Sequence, residues 1–168
     1  MDSILDIHLV NHFLHKRHPT ILMSSLEKKF LIKSKDFIRA GEASIAVQSL
    51  LKSMQFDPDL IRRIAICGYE GEMNAVMHGG DATMTVEIDS EKLTLIITDT
   101  GEGIDSIEQA MQPGFSTASD EVREMGFGAG MGLPNMKKNS DDIQIESETG
   151  KGTRVQMIFH LHKEDQVP

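Results

Sequence analysis

The chain of 168 residues contains no tryptophan, one tyrosine and one cysteine, Cys67. A lone cysteine allows no internal disulfide, which suits a reducing compartment. Positive charge is scarce: 17 Lys and Arg stand against 26 Asp and Glu, for a formal net charge of −9. A protein gripping DNA or RNA through its phosphates would carry a basic patch. None is legible, so nucleic acid is not an expected partner, and anionic membrane surfaces are disfavoured. No apolar run approaches the roughly 20 residues that a membrane span needs. The opening Met1-Asp2-Ser3 has neither a basic n-region nor a clean apolar h-region, so no signal peptide is legible and a cytoplasmic location is expected. Apolar residues still make up 39% of the chain, enough for a core. At roughly 150 residues per domain, the length is that of one domain.

Residues 1–24 differ from the rest. His8, His12, His15 and His18 crowd this stretch before Pro19. The first three would share one helical face, a spacing that could hold a metal, but no Cys or carboxylate cluster completes a ligand set. The segment reads as a His-rich arm or leader. Residues 25–163 form the domain, and 164–168 a short tail.

Within the domain, Glu27–Lys33 alternates as a strand, with Phe30 and Ile32 on one face. Ala40–Met54 carries apolar residues at helical spacing. Asp57-Pro58 marks a second helix start, running to about His78, where Gly79-Gly80-Asp81 breaks it. Ala82–Ile88 and Lys92–Thr98 read as a hairpin about Asp89-Ser90-Glu91. Ile104–Met111 is a short helix. Gln112–Gly130 holds five glycines or prolines and few apolar residues, so it reads as a long, mobile loop. Met131–Asn139 is helical, with Pro134 tolerated in its first turn. Ile143–Glu146 and Thr153–His162 are closing strands. Helices and strands mix without strict alternation, which predicts a two-layer α/β sandwich rather than a doubly wound sheet.

Three segments carry chemistry. In the second helix Glu70, Asn74 and His78 are spaced i, i+4, i+8 and share a face, whereas Glu72 lies about 200° around from Glu70. An amide that ligates Mg²⁺ beside a carboxylate that polarises a hydroxyl is one use of such a pair; an ordinary solvated helix face is the other. Asp99-Thr100-Gly101-Glu102-Gly103 follows an apolar strand and holds a carboxylate above backbone that a flat ligand can approach, or else forms a tight turn. Gly126-Phe127-Gly128-Ala129-Gly130-Met131-Gly132 precedes a helix, and its free amides with the helix N-terminus make an anion cradle. Neither a P-loop nor a dinucleotide fingerprint is present. Gly150-Lys151-Gly152-Thr153 alone is a hairpin connection.

These four elements, in this order, resemble the Bergerat-fold (GHKL) ATP-binding superfamily. Glu70-x-x-x-Asn74 is similar to its N-box, Asp99-x-Gly101-x-Gly103 to its G1 box, Gly126–Leu133 to its G2 box and Gly150–Thr153 to its closing Gly-x-Gly-Thr. Ala75-Val76-Met77-His78-Gly79, Gln112-Pro113-Gly114-Phe115-Ser116-Thr117 and Gly132-Leu133-Pro134 are similar to the small anti-sigma-factor serine/threonine kinase group, and more narrowly to its stress-switch serine kinases. Two departures stand out. Gly71 occupies a place where many members have Ala, which would loosen the helix, and Ser119–Met125 lengthens the lid.

The resemblance implies a two-layer sandwich with a mixed, mostly antiparallel sheet and helices packed on one face. It implies ATP and Mg²⁺ as cofactors. Glu70 would be the catalytic base or orienting carboxylate, Asn74 the Mg²⁺ ligand and Asp99 the acceptor for the adenine amino group. Gly103 would let the base lie flat, with Thr153 nearby. Gly128, Gly130, Gly132 and Leu133 would offer amides to the phosphates, and His78, Gly101, Ile104, Ser116, Thr117 and Gly126 complete the binding set. Arg123, the only cation in the 113–133 lid, would reach the γ-phosphate; a solvated side chain is the other reading. The implied activity is phosphorylation of a STAS-type antagonist in partner switching around a sigma factor. A homodimer fits this reading. The alternative is a module of the same fold that binds a partner according to its nucleotide and transfers nothing. A histidine-kinase catalytic domain would need an upstream helix pair, which about 25 residues are too few to supply.

Overall fold

The computed structural model describes residues 25–161. The His-rich segment 1–24 and the tail 164–168 lie outside the described residues. The elements run β1 (Leu26–Ile32), α1 (Glu42–Ser53), α2 (Pro58–His78), β2 (Ala82–Ile88), β3 (Lys92–Asp99), α3 (Ile107–Ala110), α4 (Asp120–Glu124), α5 (Gly132–Asn139), β4 (Asp142–Glu148) and β5 (Gly152–His160). The strands form one sheet in the order β1-β2-β3-β5-β4. Every ladder is antiparallel, so the expected mixed sheet is corrected to an antiparallel one. The reason is connective: β2–β3 and β4–β5 are hairpins, and each helical excursion returns the chain beside a strand running the other way.

The central helix α2 starts where local chemistry dictates. Asp57 Oδ1 accepts from the backbone N–H of Asp59 at 2.8 Å and of Leu60 at 3.1 Å, and Pro58 takes the first helical position. Ile64, Cys67 and Val76 of α2 join Val47 and Leu51 of α1 in the core, against Met84, Val86, Leu93, Leu95, Met157 and Phe159 of the sheet. At Gly71 an added Cβ would collide with Ile97 Cδ1. This glycine therefore lets α2 lie close on β3, a packing role in place of the loosening expected from its sequence.

Three boundaries differ from expectation. α1 starts at Glu42 because Gly41, at φ 99°, holds the preceding residue out of the helix. α3 is confined to Ile107–Ala110 behind the Ser106 cap, since Ile104 instead donates its N–H to Ser147 Oγ at 2.8 Å. The expected loop 112–130 contains α4, whose N-terminus is capped by Ser119.

A polar lock ties α2 to the β4 and β5 edge of the sheet. Arg63 Nη2 meets Asp141 Oδ1 at 2.5 Å and its Nε donates to Asn139 O at 2.9 Å, while His160 N–H donates to Asp141 Oδ2 at 2.8 Å. Burial pushes the Asp141 carboxyl up, but these donors outweigh it and hold the group below the ordinary Asp value. No described helix is long and apolar enough to cross a membrane.

Candidate active site

A cleft of about 810 Å³ opens between α2, the facing ends of β3 and β5, and the segment 115–133. Glu70, Asn74 and His78 enter it from one face of α2, as helical spacing requires. Asp99 enters from the end of β3, and Thr153 and Val155 from β5. Gly103, Ile104, Ser116, Thr117, Gly126, Gly128, Gly130, Gly132 and Leu133 also line the cleft. The structure thus gathers all but two of the expected site residues.

The two exceptions act from behind. Gly101 does not line the cleft; its N–H donates to Asp99 Oδ1 at 2.8 Å, which leaves Asp99 Oδ2 without a hydrogen-bond partner among the described residues. Nor does Arg123 face the cleft. Its Nε donates to Ala118 O at 3.1 Å and its Nη2 to Ser116 O at 3.1 Å, so the guanidinium braces the lid's own backbone. The expected phosphate contact is corrected accordingly: α4 turns Arg123 back onto the segment that precedes it.

The lid is also better anchored than its glycines suggest. Ala118 and Val122 are buried with Met73 and Met77 of α2, and Phe127 stacks on Phe37 with ring centroids 6.0 Å apart. The expectation of few apolar anchors fails because the anchors sit on α2 and on the β1–α1 connection, far away in sequence. Two glycines are required by geometry. Gly103 adopts φ 77°, and a Cβ there would run into Glu148 O. Gly130 adopts φ 71°, where the lid crosses back over Gly114 and Phe115, and Gly114 N–H donates to Gly130 O at 2.9 Å.

Burial lowers the His78 pKa, with Glu102 opposing this and Lys35 adding to it. Lys35 Nζ donates to Met77 O at the end of α2. Cys67, on the core side of the same helix, is driven by burial to a pKa of about 12 and is inert as a thiolate.

Two functional neighbours were not assigned from sequence. Asn135 Nδ2 donates to Glu70 Oε1 at 2.6 Å. Glu72, turned to the other side of α2 as its spacing requires, is 2% exposed and caps α1. Glu70 also borders a second, open groove between α1 and α2, lined by Gln48, Ile61, Ala65, Ile66 and Tyr69. Glu70 is thus a residue shared by the two depressions.

A helix face carrying Glu and Asn, an Asp at a strand end and a glycine-rich lid define a nucleotide cleft, and comparison with known proteins agrees. Residues 70–164 match the model of the histidine kinase-, DNA gyrase B- and HSP90-like ATPases. An anti-sigma F factor of Clostridium acetobutylicum is 35% identical over 146 residues, which span 82% of this chain and 94% of that protein. One from Thermoanaerobacter sp. is 36% identical over 145 residues, or 81% of this chain and 93% of the relative. Among solved structures, the mycobacterial sensor histidine kinase MprB aligns over 80% of this chain and 97% of its own, with a TM-score of 0.48 and 16% identity. The chain belongs to the histidine kinase-, DNA gyrase B- and HSP90-like ATPase family.

Proposed function

We propose that this protein is an anti-sigma regulatory serine/threonine kinase that uses Mg-ATP to phosphorylate a STAS-type antagonist protein. The observation that carries the reading is the position of Glu70, which borders both the cleft and the open groove between α1 and α2. A partner protein seated on that groove would stand beside the residue that takes the hydroxyl proton in this reading. The likeness to proteins named anti-sigma F factor supports a sigma factor as a partner.

In this reading Asp99 accepts from the adenine amino group through its unpartnered oxygen, and Thr153 lies beside it. The lid amides and the N-terminus of α5 receive the phosphates. Asn74 offers one amide oxygen, and among the described residues no cluster of three or more His, Cys, Asp or Glu could hold a metal alone. That donor set fits Mg²⁺, which keeps several waters and is held largely by phosphate oxygens. Transfer joins the acceptor's hydroxyl oxygen to the γ-phosphorus and breaks the bond to the bridging oxygen, so ADP leaves. Glu70 takes the hydroxyl proton.

The test is incubation of the purified protein with γ-labelled Mg-ATP and the STAS proteins encoded beside its gene. Label on a serine or threonine of one of them is the expected result. ATP-dependent complex formation without label would replace this reading with that of a nucleotide-dependent binding module.

A further inference from the structure

We infer that Asn135 is the positioning residue for the Glu70 carboxylate, and that through it α5 sets the orientation of the group that takes the acceptor's proton. The inference rests on the reading of Glu70 given above. Asn135 Nδ2 lies 2.6 Å from Glu70 Oε1, and Glu70 Oε2 has no hydrogen-bond partner among the described residues. One oxygen is thereby held and the other left to receive a proton. Without that anchor a Glu side chain on a half-open face samples several rotamers.

The anchor is itself well fixed. Asn135 sits in the first turn of α5, where its backbone N–H donates to Met131 O at 2.8 Å and its carbonyl accepts from Asn139 Nδ2 at 2.8 Å. Its neighbours Leu133 and Met136 are buried in the main core, which fixes how far α5 can rotate. The same turn also runs close to Asn74 of α2. A Cβ on Gly132 would stand 3.1 Å from Asn74 Oδ1. Residues 132 and 135 thus face Asn74 and Glu70 respectively, one turn apart on each helix. α5 begins where the glycine-rich lid ends, so any shift of the lid that turns α5 moves the donor on Glu70.

Asn135 touches no reacting atom in this account; it acts through Glu70. Orientation of this kind is sensitive, since misplacement by about 1 Å can cost roughly a hundredfold in rate. The test uses the full-length protein with Mg-ATP alone, water serving as acceptor and phosphate release as the readout, with ATP affinity from calorimetry. Asn135→Ala is expected to lower kcat about ten- to a hundredfold while leaving ATP affinity and the thermal melt unchanged. Asn135→Asp, matched in size but bringing a second carboxylate to Glu70, is expected to lose at least as much; it carries the test if the Ala variant is unstable. In a Glu70→Gln background, Asn135→Ala should cause no further loss, because residues that act as a unit are non-additive.

Folded Asn135 variants that turn over at the parent rate would overturn the inference while leaving Glu70 in place. So would losses that multiply with that of Glu70→Gln, or a loss confined to ATP affinity. A parent that releases no phosphate and labels no protein would instead remove the reading of Glu70, and the inference with it.

Discussion

Glu72 Oε2 accepts a hydrogen bond of 2.8 Å from the backbone N–H of Ser44, at the first turn of α1. Its Oε1 accepts from Gly41 N–H at 3.0 Å and Ala43 N–H at 3.1 Å. α1 has Gly41 at its N-cap and no side-chain cap of its own. A carboxylate from the neighbouring helix satisfies the orphan donors and complements the helix dipole. Two residues from Glu70, α2 thus performs a structural task on its opposite side.

Removal of that carboxylate should be costly. Glu72→Ala strands three buried N–H donors, and the expected loss is about 2–4 kcal/mol. Glu72→Gln keeps one acceptor oxygen and should lose less. Urea titration of both variants is the check. A loss for the Ala variant below about 0.5 kcal/mol, the scale of an ordinary surface substitution, would show that water can replace the cap.

Asp99→Asn separates a nucleotide site from a mere turn. Asn at a strand end before glycine suits the turn, so the fold should survive. Loss of one charge-assisted hydrogen bond to the adenine amino group should cost roughly 1.5–3 kcal/mol, or about ten- to a hundredfold in ATP affinity. Calorimetry on a variant shown by its melt to be folded measures this. Parental affinity would remove Asp99 from the site.

The lid should resist proteolysis near Arg123 to the extent that its apolar anchors hold. Phe127→Ala removes the ring stacked on Phe37 and should speed cleavage there by local opening. Mg-ATP should slow cleavage in parent and variant alike, and more so in the variant, because the bound phosphates engage the amides of the same segment. Equal cleavage of the two proteins without nucleotide would mean that Ala118 and Val122 suffice as anchors.

The Arg63–Asp141 lock carries a pH dependence whose sign is fixed. Asp141 has a folded pKa below its unfolded value of about 3.9. Its contribution is therefore present above about pH 4 and lost as pH falls through the lower folded value. Asp141→Asn should cost about 1 kcal/mol near neutrality, a figure reduced by the pair's partial exposure. The gap between parent and variant should close below about pH 4. Thermal melts across pH test this; a gap independent of pH would assign the effect to packing.

The features legible in the amino-acid order are those that short-range chemistry controls. Asp57-Pro58 starts α2 because cap and proline act on their own turn. Glu70, Asn74 and His78 share a face because the helical period is invariant. Asp99 ends its strand because Gly101 follows within hydrogen-bond reach. The ordered boxes of glycine, Asn and Asp point to the cleft through their resemblance to the GHKL superfamily. Tertiary structure decided what depends on partners distant in the chain. Asn135 meets Glu70 across 65 residues, and Glu72 meets Gly41 across 31. The lid is anchored by Met73 and Met77 of α2, and Arg123 is turned onto the lid's own backbone by α4. Gly71 is explained only once Ile97 lies against it. No periodicity encodes such pairings, because they exist only after burial of the core has laid α2 on the sheet and α5 beside α2.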